Sequence, residues 1–277
     1  MSTAEIAIPV PAERTSALSP LATLARRRFQ LTARTPRELF VPLLTPIMFA
    51  MVIAPALKTA LHTDTSYEAF VAIGTVGLLI PLNTMFSGLS VIVDRVSGAQ
   101  RELLTAPIPR GLLVLGNLMV ALAITALQVG VLIAVAVARG IQFHATAGGI
   151  AWFAAAGVLF TVGMYGAAEI LANRVPRQEE YIARVPAIAI LPWFLAGALF
   201  PITALPTFLT WFAKFLPLTH GLALMRYGLR GDAIGLHAIW GMSDPAAMAA
   251  LSLAVVGGFA LLLTAASIRV FSRSAVH

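Results

Sequence analysis

Long apolar stretches separated by short polar ones are the dominant pattern along this chain. A helix needs about 20 mostly apolar residues to cross the roughly 30 Å of hydrocarbon in a bilayer. Six stretches meet that length: Leu39–Leu57, Ala69–Val93, Leu112–Ala138, Gly149–Leu171, Val185–Leu205 and Pro245–Ile268. The predicted fold class is therefore an all-α membrane protein with six transmembrane helices. The stretches differ in length and polar content, so no internal repeat is indicated.

Basic residues are concentrated in alternate connections between these stretches. Of the 19 Lys and Arg residues, 14 precede the first stretch, follow the last, or lie in the second-to-third and fourth-to-fifth connections, and five lie in the opposite connections. Basic loops stay in the cytoplasm. The pattern predicts a multi-pass protein of the cytoplasmic (inner) membrane with both termini in the cytoplasm. Residues 1–17 are expected to be a flexible N-terminus, 39–268 the transmembrane domain and 269–277 a cytoplasmic tail.

The segment 18–38 mixes apolar residues with Arg26, Arg27 and Arg28. One interpretation is an amphipathic helix at the cytoplasmic interface, which would bury its apolar side chains and direct the arginines toward lipid headgroups. Pro36 would end such a helix. A plain positively charged anchor explains the pattern equally well.

The stretch from Phe200 to Asp244 is apolar in patches, but Pro201, Pro206 and Pro217 divide it into pieces too short to span. Such pieces at membrane depth must be shielded by protein or lie at the interface, because lipid cannot satisfy free backbone groups. We predict a pair of short re-entrant helices in the outer leaflet, followed by an exposed loop over residues 230–244.

Composition supports the membrane assignment and excludes several function classes. Charged residues make up only 11% of the chain and mean hydropathy is +0.88, whereas soluble domains carry about 25% charged residues. The net charge of +7 is spread over short loops, which argues against a nucleic-acid partner. There is no Cys, no phosphate-binding loop and no His cluster, since all five His fall in predicted loops or the tail. We therefore expect no metal, no cofactor in this chain and no enzymatic activity.

The second cytoplasmic segment carries the most informative pattern. Gly98 permits a sharp turn, Ala99–Thr105 is predicted to form a short helix, and Pro107 and Pro109 stiffen the return to the membrane. A short charged helix held rigidly on a cytoplasmic loop is suited to docking a soluble partner. An ordinary connecting loop is the alternative.

This segment, D-R-x-x-G-x-x-R-E-L-L-x-A-P-x-P-R followed by L-G, resembles the coupling loop of type-two ABC export permeases, and most closely their daunorubicin-type drug-exporter branch. The segments Gly197–Pro206, Leu216–His220 and Met225–Gly231 resemble the external region of the same family. The resemblance extends from about residue 25 to the end. The chain departs from the family where Val96 and Ser97 follow Arg95, since a Glu is common there.

The resemblance implies a permease that pairs with a second copy or a sister permease and with two ABC ATPase subunits, which bind ATP and Mg. Membrane lipids are further expected partners. The coupling residues it implies are Arg95, Gly98, Arg101, Glu102, Leu103, Pro107 and Arg110. The implied substrate is a hydrophobic or amphipathic drug or lipid, because four Trp and four Tyr are few for stacking sugars. Polysaccharide or glycolipid export, an ATPase-independent channel, and an immunity or assembly factor stay as alternatives.

A few residues inside the predicted spans have side chains that need an explanation. Placing a carboxylate inside a span costs about 2.5–3.5 kcal/mol of insertion free energy at a helix centre and less near the ends. For Glu169, pairing with a cytoplasmic Arg such as Arg174 is therefore favoured over a proton-sensitive site or simple snorkelling. Candidate pathway residues are Asn83, Met85, Phe86, Trp193, Phe194 and Phe200. Helix packing is the default role for Asn83 and for the two aromatic residues Trp193 and Phe194, and lining the pathway is the alternative.

Overall fold

The computed structural model describes residues 18–34, 40, 43–44, 47–61, 65–105 and 109–274, and all regular structure in these residues is helical. The α-helices, numbered along the chain, are α1 Leu18–Ala33, α2 Ala54–Leu61, α3 Thr65–Ser87, α4 Leu89–Val96, α5 Ala99–Thr105, α6 Arg110–Ala138, α7 Ala147–Arg174, α8 Gln178–Leu195, α9 Thr207–Phe215, α10 Pro217–Arg230, α11 Ile234–Trp240 and α12 Pro245–Ser274. A π-helical turn, Phe49–Ile53, precedes α2, and a 3-10 turn, Ile202–Ala204, precedes α9.

Four of the described helical segments are long and apolar enough to cross a membrane. They are Tyr67–Val96, Arg110–Ala138, Ala147–Arg174 and Pro245–Arg273. These segments match the second, third, fourth and sixth stretches predicted from the sequence. Their apolar runs are long and continuous, which is why the sequence identifies them without tertiary information. The first predicted stretch falls partly outside the described residues.

The bounds predicted for the fifth stretch are wrong. Helix α8 begins at Gln178 and ends at Leu195, and the chain then turns at Gly197, whose φ is +78°. The apolar composition continues past the helix end, so the sequence alone placed the stretch too far along the chain. Helix α8 lies antiparallel to α3: the Tyr181 hydroxyl donates to the Met85 carbonyl (2.6 Å), and the Trp193 indole N–H donates to the Gly74 carbonyl (2.7 Å).

Helix α10 is buried along almost its whole length between α3, α7 and α12. Its first turn begins at Pro217, which suits a helix start because the residue needs no N–H bond there. Leu222 packs against Gly77 in the middle of α3. Farther along, Gly228 meets the backbone of Gly149 near the start of α7. Helix α10 therefore runs from the middle of the bundle to the end where α3 and α7 begin, which we call the distal end.

Two predictions for α10 and the segment after it are wrong. The proposed exposed loop over residues 230–244 contains the helix α11, in which Leu236 is fully buried. His220 and His237 lie within α10 and α11 instead of in loops, and His220 is buried beside Ser252 (3.2 Å). Gly231 and Gly241, at φ of +67° and +68°, end the two helices in the left-handed conformation typical of helix C-termini. Gly231 and Gly241 therefore end helices within the segment that was predicted to be a loop.

Small residues allow α7 and α12 to approach closely. Gly163 and Gly166 of α7 face Phe259 and Leu263 of α12, and a Cβ added at Gly166 would lie 2.7 Å from the carbonyl carbon of Leu263. In a bilayer, helix association depends on van der Waals contact more than on the hydrophobic effect, so backbone proximity of this kind is a main source of stability.

Replacing Gly166 by Ala is expected to destabilise the protein by roughly 1–3 kcal/mol, because the added methyl group forces the two backbones apart. The measurement is the thermal unfolding temperature of the purified chain in detergent. Gly258→Ala on α12 is the matched control, since a Cβ there meets no atom within 4 Å. Equal unfolding temperatures for the two variants would contradict the proposed backbone contact.

Candidate coupling site and distal cavity

Four arginines mark the end of the bundle opposite the distal end, which we call the basic end: Arg27, Arg28, Arg95 and Arg110. Here α1, α4 and α5 lie beside the C-terminal ends of α7 and α12. Arg110, at the start of α6, donates from Nη1 to the carbonyl of Ser272 near the end of α12 (2.9 Å). Helix C-termini carry unpaired carbonyls and a partial negative charge, so a guanidinium is a favourable partner for them.

The adjacent residues Asp94 and Arg95 connect α4 to two different helices. The Arg95 guanidinium donates to the carbonyls of Ala172 (2.9 Å) and Val175 (2.6 Å) at the end of α7. The Asp94 carboxylate lies 3.6 Å from the Arg28 guanidinium and 4.0 Å from that of Arg27, both on α1. One turn of α4 therefore holds α1 on one side and α7 on the other.

Helix α5 extends from this attachment point with the bounds that the sequence predicts, Ala99–Thr105. Gly98 has φ of +82°, which places the sharp turn where the sequence predicts it. Leu103 is half-buried against the apolar cluster formed by α6 and α12, whereas Glu102 is exposed. The side chain of Arg101 and the whole of Pro107 lie outside the described residues. Helix α5 therefore exposes the acidic side chain of Glu102 while Leu103 packs against the bundle.

Helix α1 packs along α6, with Leu24 against Gly116, where an added Cβ would approach the Leu24 Cβ to 2.9 Å. The helix ends at Ala33, earlier than the predicted 18–38 segment, and Pro36 lies outside the described residues. Arg26 is exposed. Arg27 and Arg28 face Asp94, so the expectation that all three arginines point to lipid headgroups is wrong for these two.

Glu169 is 1% exposed on α7, and its carboxylate accepts hydrogen bonds from the Tyr165 hydroxyl (2.9 Å) and the Asn173 amide (3.4 Å). The predicted ion pair with Arg174 is wrong, because residues five apart on a helix lie on different faces, whereas Tyr165 and Asn173 are each four residues away. That spacing is a signal the sequence contained. Glu169 also borders a cavity of about 30 Å³, shared with Arg27, Asp94, Gln100 and Asn117. The space is enough for about one water molecule.

The candidate pathway residues divide into buried and exposed groups. Asn83 donates from its amide to the Thr125 hydroxyl on α6 (2.6 Å), so it joins two helices. Met85 and Trp193 are fully buried in helix contacts. The exposed group comprises Phe86, Phe194 and Phe200. The packing role considered for Asn83 and Trp193 agrees with these positions.

A cavity at the distal end contains residues that the sequence analysis did not select. Its volume is about 400 Å³, and we call it the Arg226 cavity. Its lining includes Tyr67, Phe70, Gly197, Pro201, Ile202, Thr203, Thr219, Ala223, Arg226, Arg230, Asp232, Ile234 and Gly235. Arg226 and Arg230 are four residues apart, so both lie on one face of α10. This spacing is the feature of the sequence that could have pointed to the cavity.

Arg226 is 6% exposed and is held by backbone carbonyls. Its Nη2 donates to the carbonyls of Gly197 (2.8 Å) and Ala198 (3.1 Å), and its guanidinium carbon lies 3.4 Å from the centre of the Phe70 ring. The ring face is a favourable neighbour for a cation. Arg230 differs in having an acidic partner, Asp232, at 3.6 Å.

The family model described as ABC-2 type transporter matches residues 20–229, which is about three quarters of the chain. The chain belongs to the ABC-2 type transporter family. The matched range runs from α1 to the end of α10, and so includes the four arginines of the basic end and Arg226. A curated relative, "Putative transport permease ycf38" from Porphyra purpurea, is 25% identical over 209 residues, which cover 74% of this chain and 72% of the relative.

Membership in the ABC-2 family agrees with the four long apolar helices, which are long enough to cross a membrane. The chain is a membrane-embedded, multi-pass transport permease, and a permease is a transport subunit and not an enzyme. ABC-2 permeases usually work with an ATPase partner.

Replacing Arg95 by Gln is expected to loosen α4 and α5, because the C-terminal carbonyls of α7 lose their charged donor. Charged hydrogen bonds of this kind stabilise by about 1.5–3 kcal/mol. Backbone amides of residues 89–105 should then exchange hydrogen roughly tenfold faster, as measured by mass spectrometry. Arg177→Gln is the control, since Arg177 is exposed and forms no side-chain cap. Unchanged exchange in Arg95→Gln would show that α4 is held by other contacts.

Proposed function

We propose that this ABC-2 permease is the membrane subunit of an ATP-driven exporter of the daunorubicin-type branch. It would work as a dimer, with a second copy or a sister permease, together with two ATPase subunits that hold ATP and Mg. The substrate is a hydrophobic or amphipathic drug or lipid that leaves the inner leaflet. The observation that supports the proposal most directly is the short helix α5, anchored between α1 and α7 through Asp94 and Arg95.

The contacts at the basic end describe how a force on α5 would reach the transmembrane helices. Helix α5 connects through Gly98 to α4, and α4 continues the line of α3. A displacement of α5 would be passed by Arg95 to the end of α7 and by Asp94 to α1. In this proposal Arg101 and Glu102 contact the ATPase, Leu103 anchors α5, and Pro107 stiffens the return to α6.

A topology of six spans is part of the proposal. Helix α8 has 18 residues, which at about 1.5 Å per residue is roughly 27 Å, and it follows α3 from Met85 to Gly74. We assign it as the fifth span and the stretch Leu39–Leu57 as the first. Helices α9 and α10 form the re-entrant pair, since α10 begins beside the middle of α3. Four aromatic residues exposed on α9 are suited to contact lipid at the interface: Phe208, Trp211, Phe212 and Phe215.

The basic end is assigned to the cytoplasm because its arginines lie in the sequence segments that together hold 14 of the 19 Lys and Arg residues. A membrane-impermeant maleimide applied to intact cells should therefore label the Ser243→Cys variant and not the Ser97→Cys variant. Both positions are exposed, at opposite ends of the bundle, and the chain has no native Cys. Permeabilised cells supply the control, in which both variants should be labelled. Labelling of Ser97→Cys in intact cells would reverse the assigned orientation.

Affinity purification of the chain from its native membrane in mild detergent is expected to recover a soluble ATPase in roughly equal amount. Glu102→Arg reverses the charge on the exposed face of α5 and should lower both the recovered ATPase and substrate-stimulated ATP hydrolysis about tenfold or more, because like charges across an interface cost several kcal/mol. The variant should still reach the membrane, since Glu102 is exposed.

Glu179→Arg is the matched control for this experiment. Glu179 is an exposed acidic residue at the start of α8 and lies outside α5. Its reversal should leave ATPase recovery near the unmodified level. Full transport by Glu102→Arg, or equal losses in the two variants, would refute the coupling role of α5.

A further inference from the structure

We propose that the Arg226 cavity binds the acidic head of an amphiphile, meaning a phosphate or carboxylate group attached to an apolar tail. The inference rests on the proposed export function for its biological role, and it narrows the substrate class within that function. Three properties of the cavity support it: its charge, its unsatisfied polar atoms and its apolar rim.

The first property is an excess of positive charge at a buried position. Arg230 is paired with Asp232, but in the part of the chain that the structure describes no carboxylate lies within ion-pair distance of Arg226. Its direct contacts are the carbonyls of Gly197 and Ala198 and the face of Phe70, which are dipoles, and the two full charges near it, Asp232 and Arg230, are paired with each other. A buried cation without a full counter-charge is costly, and a bound anion would remove that cost. The same charge disfavours a cationic ligand.

The second property is a pair of polar atoms without protein partners. Thr219 is 3% exposed and its Oγ1 has no hydrogen-bond partner among the described residues; the same holds for Nε of Arg226. Both residues line the cavity. Buried polar atoms in native proteins nearly always have a partner, so an acidic ligand in the cavity would supply the acceptor that these two atoms lack once the lining shifts enough to admit it. An oxygen of a phosphate or carboxylate accepts from both a guanidinium and a hydroxyl.

The third property is the combination of size and an apolar rim. A volume of about 400 Å³ lies in the range of small-molecule sites, about 300–1,000 Å³. The exposed part of the lining includes two apolar residues, Pro201 and Ile234, the latter 69% exposed, beside Thr203. An acidic head at Arg226 would leave its tail on this rim, so the expected ligand is an acidic amphiphile.

The test uses the full chain in phosphatidylcholine nanodiscs and measures the dissociation constants of three added probes. The probes are phosphatidate, inorganic phosphate and a single-chain alkylamine. We expect phosphatidate to bind, inorganic phosphate to bind at least tenfold more weakly because it lacks the tail, and the alkylamine not to compete with phosphatidate.

Thr219→Val is the decisive variant. It keeps the shape of the side chain and removes a hydroxyl that has no protein partner, so the unfolding temperature without ligand should not fall. Its affinity for phosphatidate should fall about tenfold, because a hydrogen bond to a charged group is lost. Arg226→Gln is expected to weaken binding as well, but it also removes the bonds to Gly197 and Ala198 and lowers stability.

Arg139→Gln is the control for general attraction between a basic protein and acidic lipid. Arg139 is exposed just after α6, at the distal end and outside the cavity lining. Equal phosphatidate affinity in Thr219→Val and the unmodified chain would overturn the proposal. Equal affinity for inorganic phosphate would overturn the amphiphile assignment, and competition by the alkylamine would overturn the acidic class. None of these measurements uses an ATPase, so their failure and a failure to recover the ATPase partner are separate results.

Discussion

The bonds from Arg95 to the last carbonyls of α7 are the interaction on which the basic end depends. Without them, the polar contacts of α4 with the bundle would be reduced to the pair between Asp94 and α1, beside the apolar packing of Val91, Ile92 and Leu103. The arrangement uses the electrostatics of a helix terminus, where unpaired carbonyls offer several acceptors to one guanidinium. Arg110 repeats it at the end of α12. Two spans are thus tied at their ends to the segment that the ABC-2 family resemblance assigns to coupling.

Features that depend on local signals could be predicted from the sequence. The spans α6, α7 and α12 follow from uninterrupted apolar runs, and α5 follows from Gly98 and from the prolines after Thr105. Helix α8 was misplaced because its apolar run continues beyond Leu195, so the residue where the helix stops is set by the turn at Gly197 and by packing on α3.

The polar contacts were harder to predict because they join residues distant in sequence. Nothing near Arg95 indicates that its partners are carbonyls some 80 residues away, and nothing near Arg226 indicates the turn at Gly197. Glu169 is the opposite case: its partners are four residues away in each direction, and the helical period was sufficient to find them. Spacing can therefore identify contacts within a helix, whereas contacts between helices require the fold.

Helix α7 is held at both of its ends, so it connects the basic end to the distal end. Its C-terminal end is held by Arg95, and near its N-terminal end Gly149 meets Gly228 of α10 with no side chain between the two backbones. Its 28 residues make a rod of about 42 Å. The close backbone contact between Gly149 and Gly228 prevents α7 from sliding along α10. A tilt of α7 imposed at the basic end would therefore displace α10 and, with it, Arg226. A ligand in the distal cavity and a displacement of α5 would then both change the tilt of α7.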